Sequence, residues 1–188
     1  MRLLPPIPVC DDAEFSDDGT RRYWLSRKTG PAPGIVGLFM GLNPSTAGAD
    51  VSTNDHTVAK WSGFASRWGW EGYFVVNMFG HIETVSGKLR GLSYEQAVGP
   101  DNDRVIRAIA QHIDNIVVCW GNNVPGHLER RVTEVMGILS EVNPDARVSC
   151  FGLSQEGSPL HPLRLSYDTQ LVPFTLTKAS RPSRRDSE

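Results

Sequence analysis

The sequence predicts an α/β fold, a three-layer α/β/α domain around a central four-stranded, mainly parallel sheet. Apolar runs at residues 35–40, 72–76, 115–119 and 147–153 read as near-continuous strands, the pattern of strands covered on both faces. Between them, Val58, Trp61, Phe64 and Ala65, then Val105, Ile106, Ile109 and Ala110, then Val132, Val135, Met136 and Leu139 recur at helical spacing. The resulting alternation of strand and helix, with right-handed crossovers, places helices on both sheet faces.

Ahead of the first strand, residues 1–20 are expected to be an N-terminal arm, because Pro5, Pro6 and Pro8 interrupt it and 11–18 is acidic. Residues 21–177 are expected to form a single α/β domain, with 171–174 a small edge element, and 178–188, rich in Ser, Arg and Pro, a disordered tail. Residues 21–27 mix aromatic and basic side chains. They fit a short solvated edge strand with snorkelling arginines, or a phosphate holder in which Arg21 and Arg22 supply rigid donor forks.

The first central strand ends at Gly41, which permits a sharp turn or a close approach, and runs into Asn43, Pro44, Ser45 and Thr46. Pro44 keeps Asn43 out of the helical region. Ligands of parallel sheets sit beyond the carboxyl ends of the strands, so Asn43, Ser45 and Thr46 are candidate contacts. Asp55 can cap the helix carrying Trp61 or face a ligand at its mouth. The second strand ends in the same manner, in Asn77, followed by Phe79 and Gly80. An amide offers donors and an acceptor to a planar ring edge, and Phe79 can stack on such a ring or plug the core.

Lys88 and Arg90 form a small basic cluster suited to phosphate. Trp120, at the exit of the third strand, flanks a pocket or packs in the core. The fourth strand empties into a loop holding Gln155, Ser158, His161 and Arg164, where Pro162 biases His161 toward extended backbone. This loop can bring His161 to the rim that carries Asn43, with Gln155, Ser158 and Arg164 as further contacts to a base or phosphate.

Composition narrows the function classes. With 188 residues, 39% hydrophobic and a formal net charge of −2, the chain offers a sizeable core but no global charge for nucleic-acid binding. No apolar run approaches the roughly 20 residues of a membrane span, so no membrane partner is expected. Cys10, Cys119 and Cys150 lack metal-ligand spacing, and no Gly-rich phosphate loop ending in Lys is present. No metal or cofactor is expected. The cysteine usage, with an N-terminus unlike a signal peptide, points to a cytoplasmic location.

Leu42 to Ala47, Asp55-His56-Thr57, Trp68-Gly69-Trp70, Asn77-Met78-Phe79, Trp120-Gly121 and Gly157 to Leu163 follow one another in the order of the DUF1643 family's motifs, and the chain resembles that family over nearly its whole folded length. His56 stands where the family usually has proline, the segment from Phe79 to Thr84 lacks the family's arginine, and Gln155 replaces a frequent lysine. More distantly, Gly41-Leu42-Asn43-Pro44-Ser45, Val75-Val76-Asn77 and His161-Pro162-Leu163 resemble the water-holding segment, base-reading strand and late loop of the uracil-DNA glycosylase superfamily. That resemblance implies a uracil-DNA-glycosylase-like fold and a glycosylase-like hydrolase acting on an unusual, modified or mismatched base of DNA.

In such an enzyme Asn43 orients a water, Asp55 activates it, His161 stabilises the departing base, Asn77 reads the base edge, and Phe79 or Trp120 stacks on the base. The alternative is a protein that binds a nucleobase, nucleotide or modified base without hydrolysing it, or an accessory to nucleic-acid modification.

Overall fold

The computed structural model describes residues 9–84 and 86–176, with the side chains of 86 and 87 left out. Among the described residues, seven strands form one mixed sheet in the order β1-β2-β4-β3-β5-β6-β7. They are β1 (Asp12–Phe15), β2 (Arg22–Lys28), β3 (Ile35–Gly41), β4 (Trp70–Asn77), β5 (Asn115–Val118), β6 (Arg147–Cys150) and β7 (Val172–Pro173). Four α-helices join them: α1 (His56–Arg67), α2 (Tyr94–Val98), α3 (Asn102–Ala110) and α4 (Arg130–Val142).

This corrects the expected four-stranded, mainly parallel, uracil-DNA-glycosylase-like sheet. The neighbours β4, β3, β5 and β6 are parallel, but β1, β2 and β7 pair antiparallel and extend the sheet to seven strands. The extra strands escape periodicity for physical reasons. β1 is a half-buried edge drawn from the acidic stretch assigned to the arm, and β7 has two residues. β2 is an inner strand, and its arginines are buried where solvated ones were expected. The expected tail at 178–188 and residues 1–8 of the arm lie outside the described residues.

Alternation along the inner strands divides the core into two layers. Phe39, Val75 and Val117 face α1 and pack on Val58, Trp61 and Phe64. Leu38, Met40, Phe74, Val76, Ile116 and Val118 face the other way, onto Val105, Ile106 and Ile109 of α3 and Val132, Val135 and Leu139 of α4. Each helix thus buries the stripe that its apolar spacing defines. α1 begins where Asp55 Oδ1 accepts the Val58 amide at 2.8 Å, and α2 carries a capping box formed by Ser93 and Gln96.

The connections place a crevice at one end of the sheet. From β3 the chain crosses over α1 to β4 on one side. From β4 it returns past β3 to β5 and then to β6, with α3 and α4 on the opposite face. The direction of winding therefore reverses between β3 and β5. A crevice opens at such a switch point, beyond the carboxyl ends of the strands, where Gly41 and Trp120 lie.

Candidate functional site

A cavity of about 710 Å³ occupies that crevice. It is lined from β3 and its exit by Gly41, Leu42, Asn43 and Ser45, from β4 by Asn77, from the β5 exit by Trp120, Gly121, Asn122 and Asn123, and from the late loop by Leu160, His161, Leu163 and Arg164. Arg22, Asp55, Thr57, Trp61, Glu83, Thr84 and Leu165 complete the wall. The volume is that of an ordinary small-molecule site.

Gly41 is required by close approach. A Cβ there would lie 2.5 Å from Asn77 Oδ1, so the asparagine amide fills the space that the missing side chain leaves. Gly41 and Asn77 are register partners of β3 and β4, and the two strands remain tied beyond their ends by Met78 N–H to Gly41 O and Phe79 N–H to Leu42 O. Asn77 is 1% exposed and its Nδ2 has no hydrogen-bond partner. From below, Asn102 Nδ2 donates to the Asn77 and Met78 carbonyls at 3.0 Å each, and Arg131 Nε donates to Met78 O at 2.7 Å. Two wholly buried polar side chains thereby hold the backbone that presents Asn77.

The Asn43 amide is anchored. Its Nδ2 donates to Glu83 O at 2.7 Å and Pro44 O at 3.0 Å. Asp55 uses both oxygens, one to cap α1 and the other to accept the Ser45 hydroxyl. Gly121, with φ +72°, turns the chain out of β5, and its N–H bonds Pro159 O at 2.9 Å. This bond ties the β5 exit to the loop bearing His161.

His161 Nδ1 accepts the Leu163 amide at 3.3 Å, which leaves the ring proton on Nε2. Burial pushes its pKa below the ordinary value, with Asp55 opposing. The sign follows from linkage: the unfolded chain takes up the proton first, so His161 lowers stability as pH falls through the ordinary histidine range toward its own lower pKa. Urea unfolding of the native chain and of His161→Asn across that range is expected to give a smaller acid-side loss for the variant. Identical profiles would refute the assignment.

The loop over residues 43–54 is fastened from beneath by β2. Arg27, 1% exposed, bonds Asn54 Oδ1 through Nε at 2.8 Å, the Ser26 and Ala49 carbonyls through Nη1, and the Gly48 carbonyl through Nη2 at 2.7 Å. Arg22 reaches Ala47 O through Nη1 at 2.6 Å.

Of the residues singled out by sequence, Asn43, Ser45, Asp55, Asn77, Trp120, His161, Arg164 and Arg22 share the cavity. The others lie elsewhere. Phe79 is wholly buried in the layer under α3 and α4. Thr46, Gln155 and Arg90 are exposed and line no part of the cavity. Arg21 bonds Thr20 and the Gln96 carbonyl and pairs with Asp18 at 3.7 Å. Lys88 stands out in solvent, 4.0 Å from Glu83.

Trp61, which its spacing marks as core, is both core and wall: it stacks on Phe39 at 5.7 Å and faces the cavity. Thr57, Asn122 and Asn123 are wall residues that sequence reasoning did not single out. The pair Asn122-Asn123 repeats the polar strand exit already seen at Asn43 and Asn77, which is the signal that could have found it.

A family model described as "Protein of unknown function (DUF1643)" matches residues 22–163. No curated protein matches the chain. No solved structure matches it either. The expected likeness to the uracil-DNA glycosylase superfamily is therefore corrected, and with it the hydrolase and DNA-binding descriptions drawn from that likeness: the sheet is seven-stranded and mixed, and no match links the chain to that superfamily. Among the described residues no helix is long and apolar enough to cross a membrane, and no group of three or more His, Cys, Asp or Glu could hold a metal.

Proposed function

The chain belongs to the DUF1643 family, and from its cavity we propose that it binds a small molecule containing a nucleobase, without hydrolysing it. The observation that carries this reading is Asn77, a buried amide with an unpartnered Nδ2 at the wall of a switch-point cavity. A buried donor without a partner costs free energy in the empty protein, and a ring edge with a complementary acceptor would satisfy it. Trp120 and Trp61 give the same cavity aromatic walls, against which a planar ring can pack.

The wall supports binding over bond cleavage. Both oxygens of Asp55 are engaged, by the α1 cap and by Ser45. The Asn43 amide has no useful proton affinity, and one nitrogen of His161 is taken by the Leu163 amide. No general base stands free among these three.

Titration with nucleobases, nucleosides and nucleoside monophosphates, followed by isotope-edited NMR, tests the proposal. Saturable shifts are expected at Gly41, Asn77 and Gly121, with the ligand recovered intact. Absence of any saturable shift at millimolar ligand, or accumulation of free base from a nucleoside, would overturn it.

A further inference from the structure

Two arginines on β2 point toward the 43–54 loop, and they differ in a way that defines a ligand. Arg27 spends all three guanidinium nitrogens on neutral oxygens of the protein and does not line the cavity. Arg22, 2% exposed, lines the cavity, makes its one bond through Nη1 to Ala47 O, and leaves Nε without a partner. Burial lowers its pKa to about 10, and Asp55 raises it only as a charge at a distance, because the Asp55 oxygens are taken by Val58 and Ser45.

The other unpartnered buried polar atoms on residues of this cavity are also donors. They are Asn77 Nδ2 and Trp61 Nε1, the latter with the Cys119 thiol beside it. No unpartnered buried acceptor belongs to a residue of the wall, among the described residues. A buried cation with a single neutral partner is costly until an anion reaches it. The empty site is therefore short of acceptors, most of all beside the Arg22 guanidinium.

We propose that the ligand carries an oxyanion that seats against Arg22, which makes a nucleoside monophosphate the preferred class over a neutral base or nucleoside. The inference rests on the nucleobase reading for the remainder of the ligand. Charge sets an upper bound as well. The wall carries two cations, Arg22 and Arg164, against two carboxylates, Asp55 and Glu83, so a single phosphate is favoured over a triphosphate.

Calorimetric titration of the native chain with matched nucleosides, 5′-monophosphates and 5′-triphosphates tests this, with inorganic phosphate as a separate probe. At least tenfold tighter binding of the monophosphate than of the nucleoside is expected, with the triphosphate weaker than the monophosphate. In Arg22→Gln the preference for the monophosphate over the nucleoside is expected to vanish, and Arg22→Lys should retain part of it. Equal affinity for nucleoside and monophosphate in the native chain would overturn the oxyanion assignment while leaving the nucleobase reading intact. Binding of inorganic phosphate that depends on Arg22, with no contribution from any base, would retain the oxyanion and overturn the nucleobase reading. The ratio in the native chain decides the matter even where Arg22→Gln fails to fold.

Discussion

Replacing Arg27 by methionine is expected to release the 43–54 loop and to cost about 1.5–3 kcal/mol of stability, the range for losing hydrogen bonds made by a charged donor. The side chain is 1% exposed and bonds Asn54, Ser26, Ala49 and Gly48. Methionine fills a similar volume but supplies no donor, so the packing term stays small and the lost bonds dominate. Each bond to a charged donor is worth about 1.5–3 kcal/mol, and the four are not additive because they share one guanidinium. Arg27→Lys keeps the charge as a single point and is expected to recover only part of the loss. Urea unfolding gives the stability change, and hydrogen exchange locates it at the Gly48 amide, which bonds Thr53 Oγ1, and at the Ser52 amide, which bonds Asp50. A loss below about 1 kcal/mol, the scale of one neutral hydrogen bond, with unchanged exchange at these amides would show that the loop holds itself.

That loop also illustrates what can be read from the sequence. Asn43, Asn77, His161 and Asp55 each stand at a strand exit, a helix mouth or a proline-directed loop. Local chemistry marks such positions, and all four line one cavity. The apolar runs of β3, β4 and β5 were legible for a similar reason, since strands covered on both faces need unbroken hydrophobicity, whereas β6 is only partly buried. β1 was not legible as part of the sheet, whereas β2 and β7 were legible only as edge elements, and β2 lies inside the sheet. β1 sits at the edge with acidic side chains, β7 is two residues long, and β2 buries arginines whose partners lie on a loop more than twenty positions away. Arg21 and Arg22 show the same limit: adjacent in sequence and alike in chemistry, one bonds Thr20 and Gln96 outside the strand and the other, at the start of β2, lines the cavity.

The supports beneath the site were invisible for a further reason. Asn102 and Arg131 stand at the starts of helices, where polar residues are ordinary. Only the fold shows that both side chains turn inward to the Asn77 and Met78 carbonyls. They bond backbone that is identical for every residue type, so no pattern of side chains along β4 announces them.

Gly41→Ala is expected to weaken binding of the base-bearing ligand by roughly 100-fold or more, the scale on which a site loses a hydrogen-bonded polar edge. The new methyl would lie 2.5 Å from Asn77 Oδ1 and 3.6 Å from the Trp61 ring. Gly41 and Asn77 are locked in register, so the backbones cannot separate without breaking the Met78-to-Gly41 and Phe79-to-Leu42 bonds. The asparagine side chain must therefore rotate off its position, and the amide edge goes with it. Asn77→Ala removes the same edge directly and is expected to cost a similar factor. Because both changes act through one amide, Gly41→Ala combined with Asn77→Ala should bind no more weakly than either alone. Calorimetry on the two single variants and the double variant checks this, with urea midpoints confirming that each is folded at the working temperature. Additive losses, or unchanged affinity in folded Gly41→Ala, would mean that Asn77 does not read the ligand and that the glycine serves only to let β3 and β4 close.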